Sequence, residues 1–259
     1  MNNIANANDD RLHAQTRAGS VQTYARFAGV LFLLSIVAGA FGEAYVPSRI
    51  IVSGDAAATA KNITAFHFLF RMGFASYLVE AVCDVALALI FYVLLRPVQK
   101  NLALLAAFFG LVSTALFGVA ELFYFAASMF LGGAEYLKTF SPGQLNTLAL
   151  LSLRMYAVAG VIFMVFYGIA CLIRGYLIIR SGYLPKALGV LLALAGLGFI
   201  TKNFALVLAP AYASDILLLP MFLAAVSLTG WLLVKGVDVA KWEAKATADA
   251  GMISVAESG

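Results

Sequence analysis

The sequence predicts an all-α protein, an integral membrane bundle of six transmembrane helices. Three observations carry this. Of the 259 residues, 63% are hydrophobic and only 12% are charged, about half the charged share of a soluble domain. The mean hydropathy is +0.94. The apolar residues fall in blocks of roughly 20, long enough to cross about 30 Å of hydrocarbon as helix. The period-2 alternation of a membrane barrel is absent. The net charge of +4 is not a nucleic-acid signal, because Lys and Arg in such a chain mark one membrane face.

Residues 1–25 are polar and uneven, and read as a disordered tail. Their length argues against a cleaved leader. The first span covers about 27–46 and ends at Pro47. After a polar loop, Asp55 is placed to cap a short segment by accepting its orphan N–H groups. The second span, about 72–95, stops at Arg96-Pro97, and PVQKN turns the chain tightly into the third, about 102–131. Ser141-Pro142 starts a helix with Ser as cap and Pro in the first turn. The fourth span follows at about 155–179, the fifth at 187–208 and the sixth at 215–234. The transmembrane domain is thus 26–235, and 236–259 read as a second disordered tail. Tyr136, Tyr183 and Trp242 read as interface anchors. Cys83 and Cys171 fall inside spans and read as small packing residues.

Six spans put both termini on one side. Eleven Lys and Arg lie on that side, Arg174 among them as part of the fourth loop, against four on the other. The asymmetry makes both termini cytoplasmic. The chain also resembles itself at a shift of about 84: Arg71 and Arg154 open spans, and Tyr92-x3-Arg96 and Tyr176-x3-Arg180 close them. This suggests a parallel internal repeat of helical hairpins.

Chemistry is expected from polar residues inside the spans. Glu80 and Asp84 are four apart and share a helix face with Tyr77. An Asp near mid-membrane costs about 2.5–3.5 kcal/mol to insert, so it should face protein or water. Glu43, Glu121, Arg154 and Lys202 lie at similar depth, all in the outer half. The expectation is an outward-facing polar pocket that binds a small ligand, lipid headgroup or proton, for transport or sensing. Its acceptors are Glu80, Asp84, Tyr77, Glu121 and Glu43, and its counter-ions Arg154, Lys202 and Arg71. Two rival readings use the same residues. One is an intramembrane lipid-acting enzyme with Glu80 and Asp84 as acid and base. The other is a structural or partner-binding protein whose acids are ion-paired. No catalytic nucleophile, phosphate-cradling loop or zinc spacing occurs. Neither His13 nor His67 lies in a span. No cofactor or metal is expected. Six helices are few for a secondary transporter, so transport calls for a homodimer.

Three stretches carry a family resemblance: DAAATAKNI (55–63), LLRPVQKNLALLAAFF (94–109) and GYLIIRSGYLPKALGVLLALAG (175–196). They resemble the bacterial multi-pass membrane family called domain of unknown function 4386. The resemblance implies a location in the cell inner (plasma) membrane and no activity. Members carry Arg in a phrase where this chain has Gly110 and Ser113. They often carry His where it has Ala170, so a family function using either group is absent here.

Overall fold

A computed structural model describes the backbone of residues 2–257 and the side chains of residues 19–248. The described residues form helices and turns without a strand. Helix α1 (Asn2–Gly39) runs into a π-helical segment (Ala40–Tyr45) and the short α2 (Val46–Ile50). Then come α3 (Ala56–Ala65), α4 (His67–Leu95), α5 (Lys100–Phe130), α6 (Pro142–Ser181), α7 (Lys186–Leu208), α8 (Leu219–Val234) and α9 (Val239–Glu257). Six segments are long and apolar enough to cross a membrane. The packed side faces inward, while Val82, Leu89, Val158 and Val226 are 61–71% exposed on the outer surface. Exposed apolar side chains on such spans face lipid rather than water.

The helix starts follow their caps. Asp55 Oδ1 accepts from Ala58 N at 2.9 Å. Ser141 and Gln144 form a capping box, with Ser141 N–H donating to Gln144 Oε1 at 2.8 Å. From that box α6 continues unbroken for 40 residues, so the fourth span is the inner part of one longer helix. The first span does not stop at Pro47. Proline has no N–H to give the carbonyl four residues back, that of Glu43, and the π turns sit where that bond would be missing.

Helices α6 and α7 form a close hairpin. Gly182, with φ at 76°, makes the turn, a left-handed conformation that glycine adopts without strain. On either side of it, glycines face one another. A methyl on Gly175 would lie 2.6 Å from the Gly189 carbonyl, and one on Gly168 would lie 2.9 Å from the Gly196 carbonyl. Small residues let membrane helices approach this closely.

The end of the bundle that carries the termini is sealed by helix capping. The last carbonyls of a helix have no donor within it. Leu94 O of α4 accepts from Tyr183 Oη at 2.6 Å and from Trp242 Nε1 at 2.9 Å. Arg180 O of α6 accepts from Lys245 Nζ at 2.6 Å. Lys235 O, just past α8, accepts from Gln22 Nε2, and Gln22 Oε1 accepts from Val237 N. This corrects the sequence reading of the tails. The backbone of residues 2–25 is helical and belongs to α1, with Val21 and Ala25 buried, rather than a disordered tail; the side chains of 1–18 lie outside the described residues. The segment after 236 forms α9 and is docked by Trp242. Trp242 and Tyr183 are 7% and 3% exposed, so both are buried caps rather than interface anchors. Tyr136 remains exposed.

Candidate functional site

Two apolar clusters fill the bundle's ends. The terminal one includes Phe91, Leu94, Leu177, Ile178, Leu228 and Trp242. The far one includes Val46, Ile50, Ile63, Phe70, Tyr124 and Leu153. The intramembrane acids lie between them, in two groups.

The first group joins the π segment, α4, α5 and α6. Glu43 and Glu80 meet side chain to side chain. Glu121, 3% exposed, is in electrostatic contact with both and accepts from the Tyr156 hydroxyl. Tyr77 is buried in the same group, edge-on to Phe117 at 4.5 Å between ring centroids. The backbone makes room for these side chains. A methyl on Gly39 would lie 3.2 Å from Glu80 Oε1, and one on Gly118 would lie 2.9 Å from the Tyr77 hydroxyl. One carboxyl oxygen, Glu80 Oε2, is buried without a hydrogen-bond partner. In front of the group lies a cavity of about 190 Å³ whose lining includes Glu43, Tyr156, Phe163, Phe199, Lys202 and Asn203. Glu43 is exposed and lines this cavity.

The second group lies deeper, toward the terminal end. Asp84 accepts from Ser35 Oγ at 3.4 Å and faces Arg174 across a small gap. Arg174 is 6% exposed, and its guanidinium stacks over the Phe91 ring at 5.4 Å.

None of the expected counter-ions pairs with these acids, although Lys202 shares the cavity wall with Glu43. Among the described residues three ion pairs form: Lys138–Glu135, Lys202–Asp215 and Lys241–Asp238. Lys202 therefore binds Asp215, at 2.6 Å, and not the acids. It emerges on the side of α7 next to the turn that opens α8, where Asp215 is nearer. Arg154 and Arg71 are exposed and make no ion pair among the described residues. They lie on the outer faces of α6 and α4. The cation that faces an acid is Arg174, which sequence reasoning placed in a basic loop. Its signal was its spacing: it is six residues short of Arg180, well inside an apolar helix. No grouping of His, Cys, Asp and Glu suited to a metal ion occurs among the described residues. Cys83 and Cys171 are buried free thiols.

A buried polar group between apolar layers, inside six lipid-facing helices, defines a multi-pass membrane protein. The chain belongs to the family described as Domain of unknown function (DUF4386), whose model matches residues 27–236. It is also 29% identical over 160 residues to an uncharacterized protein of Archaeoglobus fulgidus, covering 60% of this chain and 78% of the relative. No solved structure matches.

Proposed function

We propose that this is a non-enzymatic membrane protein whose outward-facing cavity binds a proton or a small cationic ligand at Glu43, Glu80 and Glu121, for transport or sensing. One observation carries the reading: three carboxyl groups converge inside the bundle with no cation within ion-pair distance among the described residues. Carboxylates placed together repel unless a proton or a cation sits among them. A hydrogen bond between two carboxyls needs a proton on one of them, because the ionised group is acceptor-only. Glu43 and Glu80 are so placed that they can share one. The cavity opens onto Glu43, the rings of Tyr156, Phe163 and Phe199 in its wall suit the apolar body of a small amine, and the one cation in that wall, Lys202, is held by Asp215. The far end is taken as outer because the basic residues favour the terminal end. The ion-paired structural alternative keeps Asp84 facing Arg174, but neither Lys202 nor Arg154 forms an ion pair with Glu43, Glu80 or Glu121.

The test is a pH jump on protein reconstituted on a solid-supported membrane. Proton binding inside the bundle produces a transient charge displacement. We expect it in the wild type and expect it reduced in Glu43→Gln, Glu80→Gln and Glu121→Gln, each of which keeps the shape of the side chain. A wild type with no transient, together with Gln variants that merely unfold, would sink the proposal in favour of a structural role. Mass spectrometry of material co-purifying with the wild type but not with Glu121→Gln would identify an organic ligand.

A further inference from the structure

We propose that Asp84 and Arg174 are joined through one trapped water into a charged plug that closes the floor of the carboxyl cavity. The plug leaves that cavity open to one side of the membrane only. The role as a plug rests on the reading of Glu43, Glu80 and Glu121 as a binding site; the pair itself does not.

The argument starts from an unmet demand. Arg174 carries five N–H donors and no acceptor. It is buried, yet makes no hydrogen bond or ion pair among the described residues, and its Nε has no partner. Stacking on Phe91 satisfies its charge in part and its donors not at all. A buried donor left unsatisfied is costly, so native structures supply protein or water. Asp84 has the complementary need. Its one hydrogen bond is the long contact from Ser35, and the facing cation is Arg174.

The two side chains do not touch, and the space between them is defined. A cavity of about 10 Å³ is lined by Asp84, Arg174, Thr114, Tyr167, Gly110 and apolar neighbours. That is about the smallest space that holds one water, and its walls supply the two to four polar partners a buried water needs. The other titratable groups here are the Tyr167 hydroxyl and the Cys171 thiol, which meet each other, the Cys83 thiol beside Asp84, and Glu43 and Glu80, which are in electrostatic contact with Asp84. Gly110 is part of the fit. Arg174 Nη2 lies 2.7 Å from where a methyl on it would be, so the guanidinium occupies that space.

The position gives the pair its consequence. Glu80 is one turn from Asp84 on α4, so the plug begins where the carboxyl group ends. Beyond it toward the terminal end lies the apolar cluster of Phe91, Leu94, Leu177 and Ile178. A guanidinium fixed at this level repels protons and other cations that would pass the carboxyl group toward the terminal end.

The full-length chain is tested as wild type, Asp84→Asn, Arg174→Gln and the double variant. Each single change leaves the other charge buried alone and should lower Tm by on the order of 5–10 °C. The double variant should recover most of that loss; single losses that simply add would overturn the pair. Arg174→Lys keeps the charge and should stay above Arg174→Gln in Tm. Equal Tm values for these two also overturn the pair. In liposomes with an entrapped pH dye, the wild type should hold a pH step and the double variant should lose it several-fold faster. Equal tightness overturns the plug. The pH-jump transient should persist in the double variant. Its absence from the wild type counts against the carboxyl site, while the Tm comparison of the four proteins still decides the pair.

Discussion

Tyr183 and Trp242 donate to the same acceptor, the Leu94 carbonyl, at 2.6 and 2.9 Å. The acceptor lies at the end of α4, where no helical N–H is available to it. Two side chains from distant parts of the chain thus cap one helix, and one of them ties down α9.

Shared capping predicts non-additive losses. Tyr183→Phe or Trp242→Phe alone should cost about 0.5–1.5 kcal/mol, since the other donor remains. The double variant should cost more than the sum, because a buried carbonyl is then orphaned. Thermal unfolding of the four proteins measures this.

Docking of α9 should weaken in acid. Asp238 accepts from Lys241 N at 3.2 Å and pairs with Lys241 Nζ at 2.8 Å. That side chain and backbone hold its carboxyl below the ordinary value of 3.8. For a depressed carboxyl, the contribution is present above the unfolded value and is lost as pH falls through the folded one. In a Trp231→Phe background, Trp242 fluorescence should report release of α9 below about pH 4. Asp238→Asn should release it more readily at neutral pH and remove that acid-dependent step.

Gly110→Ala should be disfavoured out of proportion to its size. The added methyl meets Arg174 Nη2, and overpacking of a fitted site costs about 1–3 kcal/mol. Gly19→Ala, with open space around it, is the control and should be neutral or stabilising. Comparison of the two melting curves decides.

Tyr156→Phe should alter binding more than stability. It removes the donor to Glu121 and leaves the ring in place. The pH-jump transient should shift in its pH midpoint, and Tm should move by a few degrees at most, about the effect of one hydrogen bond. An unchanged midpoint would separate Tyr156 from the carboxyl group.

Much of this architecture is written locally in the chain. Asp55 and Ser141 cap the helices they precede because a cap needs one side chain and the next turn. The six spans follow from run length. The convergence of Glu43, Glu80 and Glu121 was legible only as shared depth. Depth follows from counting residues, whereas contact depends on which face each helix turns inward, and that is settled by packing. This is why Arg154 and Lys202, at suitable depth, form no ion pair with these acids, while Arg174, assigned to the rim, faces Asp84. The π segment shifts the face of everything after Gly39, including Glu43, and only Pro47 hints at it. For α9, an alanine-rich stretch broken by charges reads as a tail, and one tryptophan holds it in place.

The glycine contacts of α6 and α7 pair residues at equal distances from Gly182, seven and fourteen positions away on each side. Two backbones in direct contact at two levels cannot slide or tilt separately without losing both contacts. The α6–α7 hairpin therefore behaves as a single stiff stave. It carries Tyr156, Arg174 and Lys202 together as one body. Helix α5 is fastened to the same stave, because Ser113 Oγ donates to Phe163 O at 2.9 Å and Ser152 Oγ to Phe123 O. Glu121 and Arg174 are therefore held in one frame, and Glu43 and Glu80 reach it from the π segment and α4.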